Sequence, residues 1–560
     1  MIGGIGLLQN RFRHTKRYRE IMNAFLKNGF SHILFRLGIT DRTSSKKDGA
    51  VMNMQDIGVK LRLTLQELGP TFIKLGQIAS SRRDLVPFEI ADELEKLQDH
   101  VAPFPFEQVK EIIETELEMP IDSLFTEFEK EPIATASIGQ VHAARLSSGE
   151  KVAVKVQRPN IYHVVNKDLT ILSDLARFLE DNMDWAEAYR LQDMVDEFAR
   201  SLRDELDYRV EARSGERIAK QFEGVPTVHI PSIFWDLSTS KVLTTELIHG
   251  VKVNDLERLD AEGYDRERIA ERIVHSMLDQ ILMAGFFHGD PHPGNIFVLP
   301  NNVISYLDFG MVGRLDDDMK YHFATLIIQL RKGNTENMIK TLDAMGILSD
   351  DTDMMTFKKD VDHLQSKYYD VPFEEIKPGA FFLDLFRIAY RHRIQIPTEI
   401  TILGKSILTL EGFITKLAPG FSIMSAVEPF GKKLIMERYS PKNVLRKSLL
   451  HWKENIEILT DFPKDLKELS TLIRKGNLQM NIHIPQVQMI LRRLDQVSNR
   501  LSFSIILLSF SILMVGLIVG ASISGETNML WRLPIIEAGS IIASLLFLYL
   551  IYSIFKSGRM

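Results

Sequence analysis

The stretch that most constrains this chain is Phe286-Phe287-His288-Gly289-Asp290-Pro291-His292-Pro293-Gly294-Asn295-Ile296-Phe297-Val298, followed by Ile304-Ser305-Tyr306-Leu307-Asp308-Phe309-Gly310. Three oxygen-bearing side chains, Asp290, Asn295 and Asp308, sit beside short apolar runs. Asp-x4-Asn followed by Asp-Phe-Gly is a spacing used for phosphoryl transfer. In that chemistry Asp290 orients or deprotonates an acceptor hydroxyl. Asn295 and Asp308 offer hard oxygen ligands to Mg²⁺, which carries nucleotide phosphates. Proline and glycine between Asp290 and Asn295 suit a rigid loop that places two side chains accurately. The same residues admit two other readings. One is an ordinary turn. The other is zinc held by His288, Asp290 and His292, because two histidines and a carboxylate can form such a site. Context decides between motif readings.

Upstream, a change of period marks a nucleotide site. Ala134-Thr135-Ala136-Ser137-Ile138-Gly139-Gln140 is a run of small residues, then Val141 to Leu146, the turn Ser147-Ser148-Gly149-Glu150, and Lys151-Val152-Ala153-Val154-Lys155-Val156-Gln157. This reads as a β-hairpin, with Val152, Val154 and Val156 on one face and Lys155 on the other. The loop can approach phosphates closely and Lys155 can neutralise them, although a plain edge strand with exposed lysines has the same pattern. No Gly-Lys-Ser/Thr follows the loop, so it is not a Walker P-loop. Residues 161–222 read as helical, with Glu205-Leu206-Asp207 and Glu211. Asp207 and Glu211, four apart, repel if both are ionised, and a solvated acidic helix is the default reading.

The rest of the chain sets organisation and place. Residues 1–50 are basic, with Ile21, Phe25 and Leu26 at helical spacing. That suits either a helix on an anionic membrane surface or one packed on its own domain. Residues 54–99 read as helices and contain Lys74-Leu75-Gly76-Gln77, where Lys74 and Gln77 share a face. Residues 265–285 read as one amphipathic helix leading into the opening stretch, and the chain reads as helical from Gly313 to about 440. The absence of cysteine excludes disulfides and thiolate chemistry, and the net charge of −6 gives no nucleic-acid signal. Residues 501–524 and 538–555 carry no charge and are long enough to span hydrocarbon, the second only just. Arg492, Arg493, Arg500, Lys556 and Arg559 flank the pair, which predicts that both ends lie on the cytoplasmic side of a cell membrane.

Small-residue loop, strand lysine, acidic helix, and Asp-x4-Asn with Asp-Phe-Gly occur in kinase order. Zinc explains none of the first three. The expected fold is α+β: a two-lobed, protein-kinase-like body with a helical N-terminal extension and a C-terminal transmembrane hairpin. The expected parts are a basic segment 1–50, a helical extension 51–130, an N-lobe 131–250, a C-lobe 251–440, a juxtamembrane region 441–500 and two spans within 501–560.

On these motifs the sequence resembles the UbiB/AarF family of atypical kinases over about residues 55–440. Lys74 to Gln77 matches that family's Lys-x-Gly-Gln signature, and Ala134 to His142 is similar to its alanine-rich loop, with Thr135 where alanine is commonest. Val154-Lys155-Val156-Gln157-Arg158-Pro159, Glu205-x-Asp207, His288 to Asn295 and Asp308 to Gly310 match its other motifs. The resemblance implies ATP and Mg²⁺ as cofactors. It implies nucleotide contacts from Ala134, Ala136, Ser137, Ile138, Gly139, Gln140, Val141 and Lys155, the last paired with Glu211. Asp290 would be catalytic, and Asn295 and Asp308 metal ligands. Lys74 and Gln77 would gate the cleft with Glu205 and Asp207. It further implies a membrane-anchored protein of isoprenoid quinone (ubiquinone-type) biosynthesis, with membrane lipids, quinone precursors or quinone-biosynthesis proteins as partners. Two other functions suit the same motifs: phosphotransfer to a protein or small-molecule acceptor, and an ATP-switched pseudokinase scaffold.

Overall fold

The computed structural model describes residues 16–31, 53–97, 102–183, 186, 190–348, 352–369, 371–427, 429–430 and scattered positions between 501 and 548. The chain forms two compact units, Ile5–Lys447 and Ser448–Met560 with Met1–Gly4.

The first unit opens with helices α1 (Lys16–Lys27), α2 (Met54–Leu68), α3 (Pro70–Ser81) and α4 (Phe88–Leu94). Asn53 caps α2 by accepting from the Asp56 N–H, and Gly69 at φ 92° turns the chain into Pro70, the first residue of α3. The basic helix α1 packs on its own domain. Ile21 and Ala24 join Leu65, Leu68, Phe72, Leu94, Leu97 and Ile171 in one apolar cluster. Arg17 reaches the buried Asp168 with two hydrogen bonds of 2.7 and 2.9 Å and also donates to the Leu68 carbonyl at 2.7 Å. The other basic residues of the segment, such as Arg11, Arg13 and Arg36, lie outside the described residues.

Helix α5 (Phe106–Leu117) leads into strands β1 (Phe125–Phe128), β2 (Ala134–Thr135), β3 (Gly139–Leu146) and β4 (Lys151–Gln157). With β6 (Val242–Glu246) they make an N-lobe sheet in the order β1-β3-β4-β6, β2 pairing β3. The expected hairpin is present, with Lys155 opposite Val141 and Leu243. Val152, Val154 and Val156 are fully buried against Val109 and Ile113 of α5, each contributing roughly 1.5–3 kcal/mol of apolar burial. Strand β1 falls within residues 51–130, expected from the sequence as a helical extension. Four residues are too few to show a period, and only pairing with β3 fixes their conformation.

Helices α6 (Ile161–Asn182), α7 (Leu191–Glu205) and α8 (Tyr208–Gln221) follow. They are not one continuous acidic helix. Leu206 closes α7, and Asp207, in an extended conformation, caps α8 by accepting from the Arg209 N–H. The short strand β5 (Val228–His229) leaves the N-lobe to pair parallel with β10 (Val303–Tyr306), giving a sheet β5-β10-β9-β7 with β9 (Ile296–Leu299) and β7 (Val251–Lys252).

Helix α9 (Arg266–Leu278) passes into a wider π turn over Asp279–Ala284, so the segment expected as a single α-helix changes pitch before the Asp290 loop. Strand β8 (Phe286–His288) pairs with β11 (Val312–Arg314). Helices α10 (Asp317–Lys332), α11 (Thr335–Ala344), α12 (Met354–Tyr369), α13 (Pro378–His392) and α14 (Thr398–Leu417) complete the C-lobe. Its core runs from Ile269, Ile273 and Met277 through Phe286, Phe287, Ile304 and Tyr306 to Phe386 and Leu403.

The hydrophobic runs 501–524 and 538–555 lie largely outside the described residues. No helix among the described residues is long and apolar enough to cross a membrane. In the second unit the described positions Leu501, Ile505, Leu508, Ile512, Val515 and Val519 are exposed, and Phe510 stacks on Phe547 with ring centroids 5.0 Å apart.

Candidate active site

The loop after β8 is fixed by its own backbone. Asp290 donates its N–H to Nδ1 of the buried His288 at 3.1 Å, and the other ring nitrogen, Nε2, donates to the Leu307 carbonyl at 3.0 Å. Burial pushes the His288 imidazole down, so the ring is neutral and its tautomer is set by these two partners. Neither nitrogen is left for zinc, and among the described residues no three His, Asp or Glu side chains cluster as a metal site. His292 accepts from the Gly294 N–H at 3.1 Å, and the Asn295 amide donates to the Asp290 carbonyl at 3.3 Å. The Asp290 carboxylate stays half exposed, 3.3 Å from Lys405 of α14.

Asp308 sits at φ 60°, a left-handed conformation that aspartate tolerates when its side chain bonds locally. Here Oδ1 accepts from the Gly310 N–H at 3.2 Å. The next residue, Phe309, packs its ring on His288 and under Gly215 of α8, where an added Cβ would lie 3.0 Å from Phe309 Cδ2. One apolar side chain thus links the loop, the Asp308 segment and the helix that carries Glu211.

Glu211 receives the Lys155 ammonium at 2.7 Å. Burial pulls that ammonium down, but Glu211 and Asp308 outweigh it, and its pKa lies well above the usual lysine value. Burial pushes Glu211 up, with Lys155 opposing and Asp308 adding to the push. Lys155 holds Asp308 below the usual carboxylate range, and Lys74 helps. Asp308 therefore keeps its charge and Glu211 is the carboxylate driven toward protonation. Lys74 and Lys155 face Glu205, Glu211 and Asp308, two ammonium groups against three carboxylates.

The small-residue loop is a tight hairpin. Ala136 donates its N–H to the Gly139 carbonyl at 2.8 Å between the short strand pairs Ala134–Val141 and Thr135–Gln140. Ala134, Thr135 and Ala136 lie at the surface or partly so, and Ser137 to Gln140 are buried. Ile138 enters the core formed by Ile161, Val165, Leu202 and Leu206, with Leu75 and Ile78 of α3 against it. The Gln140 amide exchanges hydrogen bonds with both main-chain groups of Phe104, at 3.0 and 3.2 Å, and reaches His142 at 2.9 Å. These two side chains shape the loop rather than project from it. Gly139 has no room for a side chain: a Cβ would lie 2.3 Å from the Tyr208 hydroxyl and 2.6 Å from the Val156 carbonyl.

The Lys-x-Gly-Gln helix divides its residues between two tasks. Lys74 pairs with Glu205 at 2.5 Å. Gly76 lets α3 press against Leu65 and Leu97, and Gln77 donates to the Leu97 carbonyl at 3.2 Å. Asp207 does not join Lys74. Its carboxylate caps α8 and takes a two-bond fork from Arg209, both at 2.8 Å. Beyond α3, Arg82 and the buried Asp84 bind the extension to the C-lobe. Asp84 accepts from Arg82 at 2.9 and 3.0 Å and from the Ile396 N–H at 3.1 Å.

Three residues that meet the candidate site carry no local sequence signal. Tyr208 lies under Lys155 with its ring centroid 5.1 Å from the ammonium. Lys405 and Ser406 come to the loop from α14, far along the chain.

Comparison with known proteins shows the family. The ABC1 atypical kinase-like domain matches residues 96–342, the UbiB helical domain residues 361–422, and the ABC1/UbiB kinase-like C-terminal domain residues 485–556. A Pseudomonas paraeruginosa protein named "Probable protein kinase UbiB" is 37% identical over 415 residues, 73% of this chain and 78% of that one. The chain belongs to the UbiB/AarF family of atypical kinases. A Clostridium pasteurianum protein named "Uncharacterized protein in hydrogenase 1 5'region" is 32% identical over 553 residues, 97% of this chain and 99% of that one. Among solved structures, the Rv3197–erythromycin complex from Mycobacterium tuberculosis is 24% identical, with 64% of this chain and 90% of that one covered, at a TM-score of 0.46.

Proposed function

We propose that this UbiB-family chain is a membrane-anchored, ATP-binding atypical kinase or ATPase that supports isoprenoid quinone (ubiquinone-type) biosynthesis through ATP-coupled handling of a lipid or a partner protein. The observation that carries the nucleotide reading is the 2.7 Å Lys155–Glu211 pair with Asp308 drawing on the same ammonium.

The residues present fit Mg²⁺. Asp308 and the Asn295 amide oxygen are hard donors, few in number, as suits a cation that takes the rest of its shell from phosphates and water. When bound, the cation offsets the charge of the triphosphate. Lys155, aimed by Glu211, meets the phosphates, and Asp290 takes the proton of an acceptor hydroxyl or orients a water. Ser137 Oγ, buried and without a hydrogen-bond partner, is a donor in the loop expected to hold the phosphates. With Ile138 anchored in the core, that loop is held in place where a glycine-rich one would move.

The membrane anchor is supported by the exposed stripe Leu501, Ile505, Leu508, Ile512, Val515 and Val519, one helical face of large apolar side chains that water would not favour. The Phe510–Phe547 stack brings the two runs together. The quinone role rests on the family resemblance. It is tested by the quinone and precursor profile of a deletion strain. Wild-type protein restores quinone content and the D290N variant does not. Equal rescue by D290N would leave a nucleotide-switched scaffold in place of an enzyme, and no quinone defect in the deletion strain would remove the biosynthetic role.

A further inference from the structure

The catalytic loop receives a cation from outside its own motif. Lys405 Nζ lies 3.3 Å from Asp290 Oδ2, with Met311 Sδ 3.7 Å away, and its side chain is 24% exposed. The next residue, the buried Ser406, places its hydroxyl 3.2 and 3.0 Å from the main-chain carbonyls of His288 and Gly289 and 2.9 Å from that of Ile402, its one proton shared among them. One turn earlier Ile402 meets Gly289 so closely that an added Cβ would lie 3.0 Å from Ile402 Cγ2. Packing and hydrogen bonds therefore fix the register of α14 on the loop, and Lys405 is held at Asp290 by that register.

The loop supplies no cation of its own. Between Asp290 and Asn295 the one basic side chain is His292, and its Nδ1 already accepts from the Gly294 N–H. An aspartate beside the end of a triphosphate sets like charges together, which is unfavourable unless a cation lies between them. Lysine is suited to that place, being a compact charge on a flexible stem.

We propose that Lys405 is a further catalytic residue that binds the terminal phosphate of a nucleoside triphosphate. This rests on the nucleotide reading above and adds a discrimination: Lys405 recognises the triphosphate and not the diphosphate. In the transfer step the bond from the terminal phosphorus to its bridging oxygen breaks, and the electron pair leaves with the diphosphate. A bond forms to the acceptor oxygen, and the acceptor proton passes to Asp290. Lys405 offsets the charge on the terminal phosphate oxygens. Lying between those oxygens and Oδ2 of Asp290, it leaves the other carboxylate oxygen free to take the proton.

The test is titration of the full-length chain in lipid with the Mg²⁺ complexes of ADP and of the β,γ-imido analogue of ATP. Wild type, K405M, K405R and S406A are compared, together with ATP turnover. K405M is expected to weaken the triphosphate analogue about tenfold or more, to leave ADP within about twofold, and to lower turnover about a hundredfold, the scale for losing one donor at a developing charge. K405R restores most of the analogue affinity. S406A loosens the loop without removing the charge, so it lowers turnover and keeps the wild-type ratio of the two affinities. Equal losses for both nucleotides in K405M, or none, overturn the assignment. Wild type that binds neither nucleotide removes the nucleotide reading itself, and Lys405's role with it.

Discussion

Lys74 and Glu205 meet at 2.5 Å, with side chains 17% and 24% exposed, so the Lys-x-Gly-Gln helix is tied to the end of α7 by a mostly buried charge pair. The same ammonium helps hold Asp308 ionised. The extension is thereby coupled to Asp308 as well as to the N-lobe.

Breaking that pair leaves one charge poorly compensated. K74A and E205A are each expected to cost about 1–3 kcal/mol in denaturant unfolding, below the full cost of a wholly buried pair. The double variant should cost less than the sum by about 1 kcal/mol. Additive losses would show that the two side chains do not depend on each other. If Lys74 also gates the cleft, K74A changes nucleotide preference or permits self-phosphorylation. Unchanged nucleotide affinities and no self-phosphorylation would remove the gate.

Gly139 is expected to be irreplaceable for a backbone reason. An alanine Cβ meets the Tyr208 hydroxyl at 2.3 Å and the Val156 carbonyl at 2.6 Å, and only the first obstacle is a side chain. G139A should cost about 1–3 kcal/mol, and G139A/Y208F should recover only part of it. Y208F alone removes a buried hydroxyl that has no hydrogen-bond partner and keeps the ring under Lys155. It should be as stable as wild type or more so. Thermal unfolding of the three variants checks this, and full recovery in the double variant would place the constraint on Tyr208 alone.

The pH response follows from two buried histidines. Burial lowers both His142 and His288 below the ordinary value of 6.5. Their folded forms bind protons more weakly than the unfolded chain. Their contribution is thus complete above the unfolded value and is lost as pH falls below 6.5 toward the folded values. Unfolding free energy should decline between pH 6.5 and 5, each histidine adding up to about 1.4 kcal/mol per pH unit. H142Q should flatten the slope, and an identical slope in H142Q would remove His142 from the account.

The parts of the site legible in sequence are those whose chemistry is local. Asp290, Asn295 and Asp308, whose proposed roles follow from their spacing, each lie within a few residues of a strand, and Lys155 stands out against three valines. Glu211 was reachable only through the family resemblance, because its partner lies on a different element. By spacing alone, Asp207 and Glu211 look like one repelling pair on one helix. In fact a helix break at Leu206 makes Asp207 a cap, and Lys155 gives Glu211 its partner. Lys405 left no trace in the pattern, since a lysine in an amphipathic helix looks the same whether it faces water or a catalytic carboxylate. Ile138 and Gln140 were expected at the nucleotide. The tight hairpin turns Ile138 into the core and gives the Gln140 amide to Phe104, a consequence of pairing that composition does not encode.

The central claim is that Lys155, Glu211, Asn295 and Asp308 form one Mg²⁺–nucleotide site. It is tested most directly by titrating Mg²⁺–ATP into the full-length chain in lipid, for wild type and D308N. Binding to the wild type that weakens at least tenfold in D308N, and that disappears when Mg²⁺ is chelated, is the predicted result. Equal affinity in the two proteins, or binding indifferent to Mg²⁺, would contradict it.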